Sequence, residues 1–164
     1  MKHLVLIRHA KAVPYGYEND FERDLRDRGN NDAMLVSEEL KKLKILPVAM
    51  FSSPARRALK TAQIFAGNLN FSKENIRQVE EIYFGMTTSE FLNFVKEIPD
   101  DIETAFIFGH NPAFFYFVHH LLDKFEDEMP TTSTVGIDFN VESWKEITAH
   151  SGKKAYHLIP KMLK

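Results

Sequence analysis

LVLIRHAKA, residues 4–12, drives four apolar residues, Leu4, Val5, Leu6 and Ile7, directly into Arg8 and His9. A short run with no polar alternation reads as a strand covered on both faces, the kind found in the parallel sheets of layered α/β proteins. Ending it with a cation beside a histidine is a choice that packing does not explain. Successive strand residues point to opposite faces, so the strand must stop near Arg8 if both side chains are to serve one place.

Working outward, a polar loop follows, and then a helical period over residues 30–43 with Ala33, Leu35, Val36, Leu40 and Leu43 on one broad face. PVAMFSS (47–53) reads as a second buried strand. SSPARRALKTAQIFAGNL (52–69) reads as a helix capped by Ser52 or Ser53, with Pro54 in its first turn and Ala55, Ala58, Leu59, Ala62, Ile64 and Phe65 at helical spacing. IRQVEEIYF (76–84) suggests a short strand, and TTSEFLNFVKEI (87–98) opens with a capping box from Thr87 to Glu90. TAFIFGHNPAFFYFVHHLLDKF (104–125) reads as strand, turn and helix. The tail, through TSTVGIDFNV and KKAYHLI, alternates like antiparallel strands at a sheet edge. Strands alternating with helices predict an α/β domain with a mostly parallel central sheet.

The chain has 164 residues, 44% of them hydrophobic and 27% charged. That length fits a single domain over residues 1–164, able to bury roughly 70% of its unfolded surface. A formal charge of −2 supplies no basic field for nucleic acid, so an anion site has to be built from a few placed residues. The absence of cysteine excludes disulfides, thiolate metal sites and a thiol nucleophile, and it suits a reducing cytosol. No run reaches the ~18–20 apolar residues of a membrane span, and no signal-peptide pattern opens the chain. The expectation is a cytoplasmic protein that binds neither membrane nor nucleic acid.

The three strongest strands share a property at their carboxyl ends. The first ends in Arg8 and His9, the second in Ser52 and Ser53 ahead of Arg56 and Arg57, and the third in Gly109, His110 and Asn111. Open α/β sheets bind ligands outside those ends, so the three segments should converge on one crevice. Two histidines facing fixed arginines offer forked donors and a nucleophile, which suits a phosphoryl group. A neutral ring nitrogen can attack phosphorus and form a phosphohistidine that water later hydrolyses. Arginines nearby keep the ring unprotonated and brace the phosphoryl oxygens, and no metal or cofactor is needed. Amides opening the helix after Asn111 would add a favourable dipole. His119 and His120 are adjacent and cannot share a helix face, so they read as packing or surface residues. The aromatic run Phe114–Phe117 reads as core and pocket wall, and Glu126–Glu128 as a solvated loop.

On the segments LIRHAKA, DFERDLRDRG, LPVAMFSSPARRALKTA, FIFGHNPA and PTTSTVGIDFNVESW, the chain resembles the histidine phosphatase superfamily over nearly its whole length, and within it the small SixA-type phosphohistidine phosphatases. The resemblance implies a phosphoglycerate mutase-like three-layer sandwich with helices on both faces of the sheet. It implies His9 as nucleophile, Arg8 and Arg57 as phosphate ligands and His110 as the second pocket histidine, Arg57 being four residues before Thr61. It brings Arg23 toward the substrate and offers Glu81, with Glu80 behind it, as proton donor; Asn111, beside His110 at the third strand end, is a further substrate-binding candidate. The chain departs from the family's usual pattern at Asp24 in place of proline, Arg56 in place of leucine and Lys60 in place of glutamine. The implied activity is a phosphatase acting on phosphohistidine in a protein partner. A small-molecule phosphomonoesterase and a catalytically weak phospholigand-binding module are the alternatives.

Overall fold

In the computed structural model, which describes residues 1–14 and 19–164, β1 (Lys2–Arg8) is the centre of the molecule. Leu4, Val5, Leu6 and Ile7 are all fully buried, because helices cover both sides of the strand. Leu4 and Leu6 point into one apolar cluster, and Val5 and Ile7 into the other. Strand alternation therefore divides one apolar run between two cores.

Six strands form one sheet in the order β3-β2-β4-β1-β5-β6. β2 (Ala49–Ser52), β3 (Arg77–Gln78) and β4 (Thr104–Gly109) join β1 in a parallel block. β5 (Thr134–Phe139) and β6 (Lys153–Leu158) complete it antiparallel, as the alternating tail predicts. The register sets Arg8 opposite Gly109, and Ser52 opposite Phe108, so the polar ends of three neighbouring strands finish level.

On the Val5/Ile7 face lie α1 (Asp27–Lys42) and α2 (Arg56–Asn68), with Ala33, Val36, Leu40, Ala62 and Phe65 buried against the sheet. On the Leu4/Leu6 face lie α4 (Thr88–Lys96) and α5 (Ala113–Leu121). Phe91 of α4 stacks on Phe117 of α5 at 4.1 Å between ring centres. The short α6 (Pro160–Leu163) closes the chain, and Lys164 reaches back to the buried Asp32 of α1 at 3.1 Å.

Several local expectations shift. α1 begins at Asp27, three residues before the apolar period shows itself, since its first turn is polar and Leu43 ends up exposed. The capping box at Thr87 and Glu90 is present on α4. α2 starts at Arg56, and neither Ser52 nor Ser53 is its N-cap. Ser53 instead accepts a hydrogen bond from the Ala55 N–H at 3.2 Å. In 76–84 the strand is only two residues long, and Glu80–Phe84 coils into the short helix α3.

Candidate active site

β1 ends at Arg8, which meets the condition set by strand alternation. The backbone beyond it is held by its neighbours. The His9 N–H donates to the Gly109 carbonyl at 2.9 Å, and the Thr132 N–H reaches the carbonyls of Arg8 and His9 at 3.1 and 3.0 Å. Thr132 accepts a φ of 66° to do so, a conformation that costs a β-branched residue of order 1 kcal/mol or more. The Ala10 N–H donates to Thr61 Oγ1 at 3.0 Å, while that hydroxyl donates to the Arg57 carbonyl at 2.7 Å. Thr61 thus ties the loop of His9 to the helical turn of Arg57.

His9 is buried, and its Nδ1 lies 2.8 Å from the Ala10 carbonyl. A carbonyl only accepts, so Nδ1 carries the proton and Nε2 keeps its lone pair. Burial lowers the His9 pKa to about 4, with the charges of Arg57, Arg8 and Arg23 pushing the same way against the Ala10 hydrogen bond. The His110 ring stands beside it, 5.3 Å between centroids. Burial, then His9 and Arg57, bring His110 to about 3. Both rings are neutral near pH 7.

The arginines surround this pair. Arg8 Nη1 donates to the Met129 carbonyl at 2.9 Å, and burial lowers its pKa. Arg57 is buried and reaches Asp20 through both ends of its fork, Nη1 to the carbonyl at 2.7 Å and Nη2 to Oδ2 at 3.2 Å. Arg23 donates through Nε to the Val13 carbonyl and through Nη1 to Asp20 Oδ1, both at 2.9 Å. Among the described residues, Arg8 Nε, Arg57 Nε and His110 Nδ1 are buried without hydrogen-bond partners. Unpaired buried nitrogens gathered around the His9 ring suit an anion, because buried polar groups are otherwise paired.

Other residues that the sequence points to sit differently. The Asn111 side chain braces the turn, donating to the Met129 carbonyl at 2.9 Å and accepting from the Phe115 N–H at 3.2 Å. The peptide bond between Asn111 and Pro112 is cis. The Phe114 N–H is taken by the His110 carbonyl, so the first amides of α5 are largely occupied within the turn. Glu80 and Glu81 are exposed on α3, and neither carboxylate pairs with another side chain among the described residues. Tyr83, from the same short helix, does reach the site, donating its hydroxyl to Asp20 Oδ2 at 2.7 Å.

Asp20 and Tyr83 are functional candidates that sequence reasoning misses. Burial works to raise the Asp20 pKa, but Tyr83, Arg23 and Arg57 together outweigh it and hold it at about 2. The three departures from the family pattern also meet: the Asp24 carboxylate lies 3.1 Å from Arg56 and 2.9 Å from Lys60. That ion-pair group joins the loop carrying Asp20 and Arg23 to α2. Beyond Arg8 lies a cavity of about 570 Å³, walled by Asn111, Phe115, Tyr116, Glu126 and Glu128.

A buried histidine just past the carboxyl end of the central strand, beside a second histidine and two arginines with unpaired nitrogens among the described residues, is a layout of α/β proteins suited to an anionic group. The chain belongs to the histidine phosphatase superfamily, whose branch 1 model matches residues 4–114. Membership places it among the phosphatases, hydrolases of phosphoryl groups. A chloroplastic protein of Arabidopsis thaliana, the uncharacterized At3g52155, is 26% identical over 165 residues, covering 96% of this chain and 75% of that one. Two solved structures share the fold across nearly the whole chain. The protein histidine phosphatase SixA complexed with tungstate superposes with a TM-score of 0.79 at 18% identity, covering 99% of each chain. The phosphohistidine phosphatase SixA assigned in Agrobacterium tumefaciens gives 0.81 at 20% identity, over 97% of this chain and 98% of that one. The architecture is therefore the three-layer α/β fold of the SixA-type histidine phosphatases, as the sequence resemblance implies.

Proposed function

We propose that the protein removes the phosphoryl group from phosphohistidine in a protein substrate, by way of a phosphohistidine formed on His9. The observation that carries the covalent step is the Nδ1 hydrogen bond of His9 to the Ala10 carbonyl, which leaves Nε2 unprotonated in a ring that feels the charges of Arg57, Arg8 and Arg23. Nε2 attacks phosphorus as the bond from phosphorus to the substrate's ring nitrogen breaks. The departing imidazole takes that electron pair. It leaves neutral, since its other nitrogen already carries a proton. Positive charge passes to the His9 ring, where the Ala10 carbonyl receives the Nδ1 proton's hydrogen bond. Water then attacks phosphorus, His9 leaves with its Nε2 lone pair restored, and the water's proton goes to the phosphate. Arg8, Arg57 and His110 hold the phosphoryl oxygens through both steps.

The substrate class follows from the carboxylates. Expelling an alkoxide calls for a general acid, a contribution of roughly 10² to 10⁴ in rate. Asp20 is ionised far below neutral pH and has no proton to give, and Glu81 is exposed and unattached. A phosphoryl cradle without a seated acid favours a leaving group that needs none. The fold likeness to SixA structures supports the same class, and the cavity beside Arg8 gives room for a polypeptide.

The test compares kcat/KM for a phosphohistidine-bearing domain, an aryl phosphate and an alkyl phosphate. The expected order is phosphohistidine, aryl, alkyl, with Glu81→Gln leaving phosphohistidine turnover within about twofold. Best activity on alkyl esters, abolished by Glu81→Gln, would make the protein a phosphomonoesterase and overturn the substrate assignment.

A further inference from the structure

The geometry points to Ser53 as the residue that fixes which nitrogen of His110 carries the proton, and so makes a neutral histidine into a donor toward the phosphoryl group. This deepens the proposed function and rests on it for its catalytic meaning.

The problem it solves is specific. His110 is neutral in the folded protein, and a neutral imidazole has one N–H and one lone pair. If the lone pair met a phosphoryl oxygen, the contact would be repulsive. If the N–H met it, the contact would be a hydrogen bond to an anion, among the stronger kinds. In a neutral ring the tautomer therefore decides whether His110 helps or hinders.

Counting donors and acceptors around Ser53 settles the tautomer. Ser53 is fully buried. Its Oγ lies 2.7 Å from His110 Nε2 and accepts the Ala55 N–H at 3.2 Å. A hydroxyl has one proton and two lone pairs. With the proton on His110 Nε2, both Ser53 lone pairs would be filled, its own proton would lack an acceptor in the interior, and the Nδ1 lone pair would be orphaned as well. With the proton on Nδ1, the Ala55 N–H donates to Ser53, Ser53 donates to Nε2, and only the Nδ1–H awaits a partner. Nδ1 is the buried, unpartnered nitrogen of that ring. The second arrangement leaves a single unmet group and makes it a donor. Ser53 directly follows β2 and His110 directly follows β4, so the level ends of two adjacent strands create the contact.

Ser53 is thus a positioning residue acting through His110. Its test starts with a measurement that needs no turnover: long-range nitrogen–proton NMR of ¹⁵N-histidine-labelled protein, with His110 assigned by loss of its signals in His110→Gln. The expected spectrum shows Nδ1–H and an unprotonated Nε2 for His110, and addition of inorganic phosphate shifts the Nδ1 resonance. An Nε2–H tautomer in the wild-type protein overturns the inference whatever the enzyme's substrate proves to be. In Ser53→Ala the tautomer preference should be lost and phosphate affinity and kcat/KM should each fall about tenfold, the value of one hydrogen bond to an anion. Ser53→Thr, which keeps the hydroxyl, should restore both. Ser53→Ala with unchanged tautomer and unchanged phosphate affinity would also overturn it. A protein with the expected tautomer but no turnover on any phosphorylated substrate would instead count against the proposed function alone.

Discussion

At the scale of single residues, the site works by withholding protons. An exposed histidine titrates near 6.5, where about a quarter of it is charged at pH 7. Burial beside Arg57 and Arg8 brings His9 to about 4, so its nucleophilic lone pair is free across the physiological range. The sign of the pH dependence follows. Protonating Nε2 destroys the nucleophile, so kcat/KM for an aryl phosphate, corrected for the ester's own ionisation, should stay level from pH 7 to about 5 and fall as pH drops through about 4. A fall centred near 6.5 would mean that His9 is neither desolvated nor pressed by the arginines. Asp20 is the converse case, an anion kept ionised by the same cations. It holds Arg57 and Arg23, the arginines that the proposed function turns toward a phosphoryl group.

At the scale of elements, the placement of His9 depends on how tightly its loop lies against α1 and α2. Gly29 sits in the first turn of α1, where a Cβ would fall 2.1 Å from the Lys11 carbonyl oxygen. That oxygen already accepts the Arg26 N–H at 2.9 Å, so the backbone cannot retreat without losing the contact. Gly29→Ala should lower unfolding free energy by about 1–3 kcal/mol, the usual cost of forcing atoms into a filled space. Urea denaturation measures it, and an unchanged midpoint would show that α1 and the loop are less closely joined than the structure has them. The ion pairs of Asp24 with Arg56 and Lys60 make a second link between the loop and α2. They are half-exposed, and such pairs contribute ~0–1 kcal/mol each.

At the scale of the whole molecule, the sheet order β2-β4-β1 sets three polar strand ends side by side. This part of the fold is legible in the sequence, because LVLI, VAMF and AFIF are apolar runs that stop abruptly at polar residues. Arg8, His9, Arg57 and His110 are legible for the same reason: each lies within a few residues of such a stop. Asp20 and Tyr83 are not, since they arrive from a three-residue 3-10 turn and from a five-residue helix with no apolar period to anchor a prediction. The Met129 and Ala10 contributions are backbone carbonyls, which any residue type supplies. Ser53 is misread as a helix cap because the sequence shows its proximity to α2 and not its proximity to His110, 57 residues away. What local pattern encodes is recoverable, and what the crossing of strands brings together is not. The central claim remains that His9 Nε2 takes the phosphoryl group. Rapid mixing with a phosphorylated substrate, an alkaline quench that preserves phosphohistidine, and peptide mass spectrometry test it directly. The expected result is an acid-labile phosphate on His9, absent with all turnover from His9→Ala. Phosphate on another residue, or wild-type turnover in His9→Ala, would contradict it.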